Sequence, residues 1–376
     1  MKRIIFFTSI ERNNRRTSSD IMTDNLILGL SQNNYEVLLV AVNQDSDEEF
    51  VRLAYSDLPI KVLYQKSKIK GPLSRYRQLW SLIRLSYSDI KLSPENLQAI
   101  ERFLDRDTIL LTHSPSVEAA CYCRSVRRKH GCKWIQYWSD PIALSGIIPE
   151  AYNWKRIPFR RVEKHLLNMC DEIVYGTQTL YHFQSRFYPE FRNKMRWIDV
   201  SYCPKISMDR APQKQIRIVY SGNYYSPIRN ILPLYDAFAS LPAHFHLDIY
   251  GNGDTVLPST PQVTVHARVD SDSIRTIEAQ ADMLICLLNR NCFQVPGKVF
   301  YNTASDQEIL VLLDGPEKKI IRSHLEPYGR FFFCENDSQA IANFFHKHQP
   351  KPVSVPAALL DRLSSKTVSK ALVEGR

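Results

Sequence analysis

The feature that most limits how this 376-residue chain can fold is an alternation, made twice, of short continuous apolar runs with longer segments of helical period. In the first half the runs RIIFFTS, EVLLVAV, DTILLTH, KWIQYW and EIVYGT are interleaved with Ser18–Leu30, Ser116–Arg128 and Ile157–Met169, whose apolar residues recur at helical spacing. A run that is apolar at every position, rather than at every other one, is a strand buried on both faces. Strands of that kind alternating with helices lie parallel in one sheet with helices on both sides. At 201–215 (SYCPKISMDRAPQKQ) prolines and polar residues interrupt the pattern, which reads as a linker. A second series then begins: IRIVYSGN, a helix over Ile231–Ser240, FHLDIYGNG, VTVHAR, a helix over Ser273–Gln280, DMLICLL, a helix from Lys298, EILVLLD and RFFFCEN. The length exceeds the roughly 100–200 residues of one domain. The expectation is therefore an α/β protein of two doubly wound, Rossmann-like domains, 1–205 and 206–353, with 354–376 as a helix that packs back towards the first.

Several function classes fall away on composition. With 44% hydrophobic and 23% charged residues the chain is globular, and no stretch of about 18 apolar residues is present to span a bilayer. The opening MKRIIFFTSIERNN reads as a first strand and not as a signal peptide. Eight scattered cysteines include no C-x-x-C pair, which points to reduced thiols in a cytoplasmic protein and to no zinc site. The net charge of +10 sits in the first half: residues 1–200 hold 30 Lys/Arg against 22 Asp/Glu, leaving 19 against 17 for the rest. Its basic runs are Arg12–Arg16, Lys66–Arg77, Arg124–Lys133 and Lys155–Lys164, with Trp80, Trp154 and tyrosines nearby. Such a face suits a phosphate-bearing acceptor or an anionic membrane surface at the inner face of a membrane, and equally a solvated exterior. No nucleic-acid motif accompanies the charge, so nucleic acid is not an expected partner.

Three ordered segments of the second half resemble the donor domain of GT-B glycosyltransferases, closest to glycosyltransferase family 4. They are IRIVYSGNYYSPIRNILPLYDAF, FHLDIYGNGD, and ADMLICLLNRNCFQVPGKVFYNTASDQEILVLLD. Looser matches precede them: LTHSP is similar to a strand ending in His, KWIQYWSDP to a strand ending in an Asp-Pro turn, and 156–176 to the helix, acidic turn and strand before the domain boundary. The resemblance implies a GT-B enzyme of bacterial envelope or exopolysaccharide type. Such an enzyme would bind a UDP- or GDP-type nucleotide-diphosphate sugar in a cleft between its domains, use no further cofactor, and transfer the sugar to a glycan, lipid-linked or phosphate-bearing acceptor, with retention.

A diphosphate needs backbone N–H groups, a helix start and one or two cations. Gly222 lets a ligand approach the backbone after the first strand of the second half, and Gly251 and Gly253 are the turn glycines after the next. Arg229 falls where the family has a phosphate-binding Lys, Asn223 where it often has Arg, and Arg268 lies in the loop after VTVHAR. The amides of Gly297, Lys298 and Val299 are expected to point at the diphosphate, with the Lys298 side chain adding charge. A lysine at a helix start runs against the dipole preference, which favours a functional reason for it. The family's glutamate pair is missing: alignment on Pro296-Gly297-Lys298 puts Phe293 and Tyr301 in those places, with the Tyr301 hydroxyl or the Asn302 amide left to hold a ribose. In the first half Asp140 is the expected catalytic carboxylate and His113 a second catalytic candidate.

A metal-dependent alternative would show a D-x-D pair after a strand. Asp45/Asp47 lies in an acidic loop, Asp105/Asp107 precedes a strand, and Asp270/Asp272 reads as an N-cap, so no metal is expected. No G-x-G-x-x-G follows either first strand, which disfavours an NAD-dependent oxidoreductase. A donor-binding or scaffolding protein of the same fold, impaired in turnover, is the competing reading.

Overall fold

The structure is a computed structural model and describes residues 2–10, 17–43, 48–67, 91–114, 116–143, 156–206, 215–290 and 293–375. The runs 12–16 and most of 66–77, Asp45/Asp47, Trp80, Trp154, Lys155, Cys292 and most of the expected linker lie outside the described residues. The chain divides into two compact units, Met1–Asp199 with Ser364–Arg376, and Val200–Leu363.

The first unit runs β1 (Arg3–Thr8), α1 (Ser18–Gln32), β2 (Glu36–Asn43), α2 (Glu48–Ala54), β3 (Lys61–Lys66), α3 (Pro94–Phe103), β4 (Ile109–Ser114), α4 (Val117–His130), β5 (Lys133–Trp138), α5 (Arg156–Met169), β6 (Glu172–Tyr175), α6 (Gln178–Phe187) and β7 (Met195–Trp197). Its strands form one parallel sheet in the order β3-β2-β1-β4-β5-β6-β7. The continuous apolar runs lie where expected: Ile4 to Phe7 and Val37 to Val42 are buried throughout. Local chemistry sets the helix ends. Thr17 and Asp20 form a reciprocal capping box at the start of α1, and Gly131 ends α4 in the left-handed region at φ 72°.

The second unit holds β8 (Ile216–Ser221), α7 (Leu232–Phe238), β9 (Phe245–Tyr250), β10 (Val263–His266), α8 (Ser271–Ala279), β11 (Met283–Leu287), α9 (Gly297–Tyr301), β12 (Glu308–Leu313), α10 (Lys318–Leu325), β13 (Phe331–Glu335), α11 (Ser338–Lys347) and α12 (Ala357–Arg362). The strands are again all parallel, in the order β10-β9-β8-β11-β12-β13. The fold class is thus two Rossmann-like α/β units. The expected helix from Lys298 is shorter than a regular helix: α9 gives way to a 3₁₀ turn over Asn302–Ala304. Arg330 explains the sharp exit, since its buried guanidinium donates to the carbonyls of Thr303 at 3.0 Å and Ser305 at 2.8 Å.

The C-terminal segment is not the single helix that its amphipathic pattern predicts. Ser364 leaves the helical path and its hydroxyl accepts from the Thr367 N–H, so that α12 stops and a new helix, α13 (Ser365–Glu374), starts. Helix α13 belongs to the first unit and lies against α1. Gly29 makes that contact: a Cβ built on it would lie 1.9 Å from the Ser365 carbonyl oxygen. Asn33 donates to the Lys366 carbonyl at 2.7 Å, and Arg196 holds the final-turn carbonyls of Ala371 and Leu372 at 3.0 and 2.7 Å. Replacing Gly29 by Ala gains helix propensity of about 1 kcal/mol but forces the two helices apart. We expect a net loss of about 1–3 kcal/mol in urea unfolding; unchanged or raised stability would contradict this packing.

Candidate functional site

In an open parallel sheet the loops leaving the carboxyl ends of two neighbouring strands diverge where the strand order reverses, and a crevice opens there. In the second unit that point lies between β8 and β11. The loop after β8 carries Gly222, Asn223 and Arg229, and the loop after β11 carries Asn289 and leads to Gly297 and Lys298. These are the residues the sequence singles out, joined by Asn289, which it does not. The half-buried Arg229 donates its Nε–H to Asn289 Oδ1 at 2.7 Å, and a Cβ built on Gly222 would lie 3.7 Å from an Arg229 terminal nitrogen. The Tyr220 hydroxyl lies nearer still, 3.2 Å from that Cβ position, so the guanidinium is oriented beside the Gly222 backbone by neutral groups and has further N–H donors to offer. Asn289 is detectable in principle as a polar residue directly behind the apolar run of β11, but nothing in one sequence distinguishes it from a turn residue.

The glycines have packing reasons. A methyl on Gly251 would sit 2.0 Å from the Gly222 carbonyl oxygen, and one on Gly253 would meet the Tyr224 ring at the same distance. The loops after β8 and β9 are zipped together by Gly222 N–H to Tyr250 O at 2.9 Å, Tyr224 N–H to Asn252 O at 3.0 Å and Asn252 N–H to Asn223 Oδ1 at 3.3 Å. Asn223 therefore works as a loop brace. Ser226 adds its N–H to Asp254 Oδ1 at 2.9 Å. Arg268 lies two residues past the end of β10, half-buried in the loop before α8.

At α9 the structure departs from expectation in two ways. The Val299 N–H, expected to face a diphosphate, donates to the Pro296 carbonyl at 3.0 Å; the Gly297 and Lys298 amides, first in the helix, have no intrahelical acceptor. The Lys298 ammonium does not stand alone: it pairs with Glu278 of α8 at 2.7 Å and also donates to Ser221 Oγ, at the end of β8. The Glu278 side chain is only 8% exposed, so this pair explains a lysine at a helix start without assigning its whole charge to a ligand. Tyr301 is buried, its carbonyl accepts the Cys203 N–H at 3.1 Å, and with Asn302 and Glu278 it lines a cavity beside α8.

In the first unit the strand order reverses between β1 and β4, and both catalytic candidates lie near that point. His113, in β4, is buried, with Nδ1 2.8 Å from Thr23 Oγ1 and Nε2 3.0 Å from Ser139 Oγ. Ser139 in turn donates to Asp140 Oδ2 at 3.1 Å. Two proton arrangements fit these contacts: with the proton on Nε2, the Ser139 hydroxyl donates to Asp140, and with the proton on Nδ1, the Thr23 hydroxyl donates to the Ser19 carbonyl at 3.0 Å. Burial drives the His113 pKa down to about 3, so the ring is neutral. It reaches Asp140 through Ser139 and acts on the position of that carboxylate. The Asp140 turn is held from its other side by Glu163 of α5, fully buried, whose carboxylate accepts the Ile142 and Ala143 N–H groups at 3.1 and 3.0 Å and the Tyr188 hydroxyl at 2.8 Å. Desolvation raises the Glu163 pKa. Neither Ser139 nor Glu163 carries a local sequence signal, because both act across elements distant in sequence.

Among the described residues no cluster of His, Cys, Asp and Glu is placed to hold a metal ion. Asp105 accepts from the Thr108 hydroxyl at 2.6 Å, and Asp270 caps α8 by accepting the Asp272 and Ser273 N–H groups. Both have structural partners.

No model of a known protein family matches the sequence, and no curated protein matches it. Solved structures do. The N-terminal domain of Candida albicans trehalose-6-phosphate phosphatase superimposes with TM-score 0.63 at 10% identity, over 99% of this chain and 95% of that one. Anabaena Alr3699/HepE in complex with UDP and glucose gives 0.55 at 11% identity, over 100% and 95%. UDP-GlcNAc 2-epimerase from Neisseria meningitidis, bound to UDP-GlcNAc, gives 0.52 at 12% identity, over 99% and 97%. The fold is the two-Rossmann-domain GT-B fold, shared over 95–97% of each of those chains.

The buried His113 predicts a pH dependence. Unfolded, the imidazole takes a proton below its ordinary value of 6.5; folded, it refuses one until about 3, so stability falls as pH drops below 6.5. Between pH 6.5 and 5 this group alone costs about 2 kcal/mol, at about 1.4 kcal/mol per pH unit. A His113→Asn variant should lack that share of the slope in urea unfolding; parallel pH profiles for the two proteins would refute it.

Proposed function

We propose that this protein is a glycosyltransferase that takes its sugar from a nucleotide-diphosphate donor held in the second unit at the β8/β11 crevice. The observation that carries the reading is the Arg229 guanidinium, oriented by Asn289 and placed beside the Gly222 backbone at the point where the strand order of this sheet reverses. A diphosphate leaving group develops charge as the sugar–phosphate bond breaks. A preoriented guanidinium with the first two amides of α9 would stabilise that charge. The neighbours crystallised with UDP, UDP and glucose, or UDP-GlcNAc support a nucleotide-sugar ligand for this fold. Asp140, braced by Ser139 and by the loop that Glu163 holds, is the carboxylate we assign to the acceptor side, with a glycan, lipid-linked or phosphate-bearing hydroxyl as acceptor and no metal ion. Retention of configuration is part of the same reading.

Phe293 and Tyr301, standing where related enzymes carry carboxylates, favour a second reading: a nucleotide-sugar-binding protein with little turnover. Acceptor-dependent consumption of a nucleotide sugar, abolished by Asp140→Asn, would exclude it.

The outward face of α5 supports contact with an anionic membrane on a cytoplasmic side. Ile157 is 53% exposed, Arg160 and Arg161 are exposed beside it, and Arg160 stacks 4.3 Å from the Phe187 ring centroid. Among the described residues no helix is long and apolar enough to cross a membrane.

The donor assignment predicts that UDP, GDP or dTDP raises the unfolding temperature of the protein. Arg229→Ala should weaken that nucleotide by about tenfold or more in calorimetry, as loss of a charged hydrogen bond does, and Asn289→Ala by less. Undiminished affinity in Arg229→Ala would overturn the site. The membrane contact predicts salt-sensitive flotation with vesicles containing anionic lipid, weakened by Arg160→Glu with Arg161→Glu. Equal flotation with neutral vesicles would contradict it.

A further inference from the structure

Glu163 of α5 is fully buried, and the groups that meet its carboxylate are four neutral donors. They are the Ile142 and Ala143 N–H groups at 3.1 and 3.0 Å, the Tyr188 hydroxyl at 2.8 Å and Gln184 Nε2 at 3.2 Å. The neighbouring cations of α5 are engaged elsewhere, Lys164 with Glu190 at 2.7 Å and Arg160 over the Phe187 ring. A buried carboxylate held by neutral groups keeps its charge only while those donors stay in place. Two of the four belong to the chain directly after Asp140-Pro141, so the charge of Glu163 and the conformation of that turn depend on each other.

The interior also has a place for the protonated acid. Gln184 Oε1 and the Tyr175 hydroxyl, both on fully buried residues, have no hydrogen-bond partner among the described residues. Flipping the Gln184 carboxamide puts its oxygen where Nε2 now lies, 3.2 Å from Glu163 Oε1, as an acceptor for a proton carried there. Burial raises the Glu163 pKa above the ordinary 4.5. The titratable groups around it keep their protonation state. Burial and then the Glu163 charge raise Tyr175 of β6 and Tyr188 beyond α6, while burial and then Asp140 raise Tyr137 of β5. Burial raises Cys170 at the end of α5 to about 12. His113, which reaches the turn from β4 through Ser139, stays neutral down to about 3.

We propose that Glu163 is a proton-operated catch on the Asp140 turn: ionised, it holds the Ile142 and Ala143 amides, and protonated, it donates to Gln184 and releases them. The sign follows from the donors. With the turn shut the carboxylate has all four, and with the turn open it keeps only Tyr188 and Gln184, so it is the stronger acid in the shut state. Closure is therefore fully favoured above the pKa of the open state and is lost as pH falls through that of the shut state. Its bearing on catalysis, through the position of Asp140, rests on the glycosyltransferase reading above; the catch itself does not.

The test is hydrogen–deuterium exchange of the full chain without ligand, followed from weakly basic to weakly acidic pH and corrected for the intrinsic pH dependence of exchange. The Ile142 and Ala143 amides are the probe, and the amides of β5 are the reference for global opening. In the wild type, protection of the two probe amides should fall by up to about tenfold per pH unit, as uptake of one proton requires, while β5 stays protected. In Glu163→Gln the turn should be less protected, and its protection should not depend on pH. Tyr188→Phe removes one donor from the carboxylate and should move the fall to higher pH by about one unit or more. That shift carries the comparison if Glu163→Gln does not fold. Protection that ignores pH, that falls in step with β5, or that keeps the wild-type pH dependence in either variant overturns the proposal. No nucleotide enters these measurements, so a failed donor site leaves the catch standing, and a turn insensitive to pH in a protein that binds nucleotide removes the catch alone.

Discussion

The close approach of two backbones, Gly222 after β8 and Gly251 after β9, is the constraint on which the candidate site depends. With a would-be Cβ of Gly251 only 2.0 Å from the Gly222 carbonyl oxygen, this approach leaves no room for a side chain at Gly251. The hydrogen bonds from Gly222 to Tyr250 and from Tyr224 to Asn252 carry the start of the β8 loop along the β9 loop, while the Arg290 N–H, donating to the Ile228 carbonyl at 2.7 Å, ties its later part to the loop after β11. At the β8/β11 switch point the Gly222 backbone therefore stands beside the Arg229–Asn289 pair. The same two-sided logic applies in the first unit, where the Asp140 turn is set by His113 of β4 through Ser139 and by the buried Glu163 from α5.

Charge in the second unit is arranged in pairs, and this alters what each cation can do. Lys298 is held by Glu278 and Ser221, Arg290 lies 3.7 Å from Asp314, and Lys205 pairs with Asp306. Arg229, like Arg275 and Arg330, has a neutral group as its oriented partner, so its charge is not cancelled by the group that aims it. A site built this way holds its cation in place at little cost in field, which is the property needed to stabilise charge that appears only as a bond breaks.

The architecture was largely legible because the apolar runs of β1, β2, β8, β11 and β12 are continuous and their period switches cleanly to helical between them. Element ends were legible where a side chain sets them, as Asp270 does for α8. The stop at Ser364 was not, because the amphipathic pattern continues across it while the hydroxyl cap breaks the helix. At the candidate site, Gly222, Arg229 and Gly297 could be named from local pattern, since each stands directly in a strand-to-helix connection. Asn289, Glu278, Ser139 and Glu163 could not, since each acts on a partner brought close only by the sheet. For Lys298 the sequence supplied the charge and not the counter-ion 20 positions earlier.

A nucleoside diphosphate held between β8 and β11 would cover backbone amides there, and hydrogen–deuterium exchange of the full chain, with and without saturating UDP or GDP, tests this without prior choice of any residue. Exchange should slow mainly in the peptides spanning 221–230 and 293–301, where the Gly222 loop and the first amides of α9 lie. Protection elsewhere, in the second unit or the first, with those two segments unchanged, would contradict it.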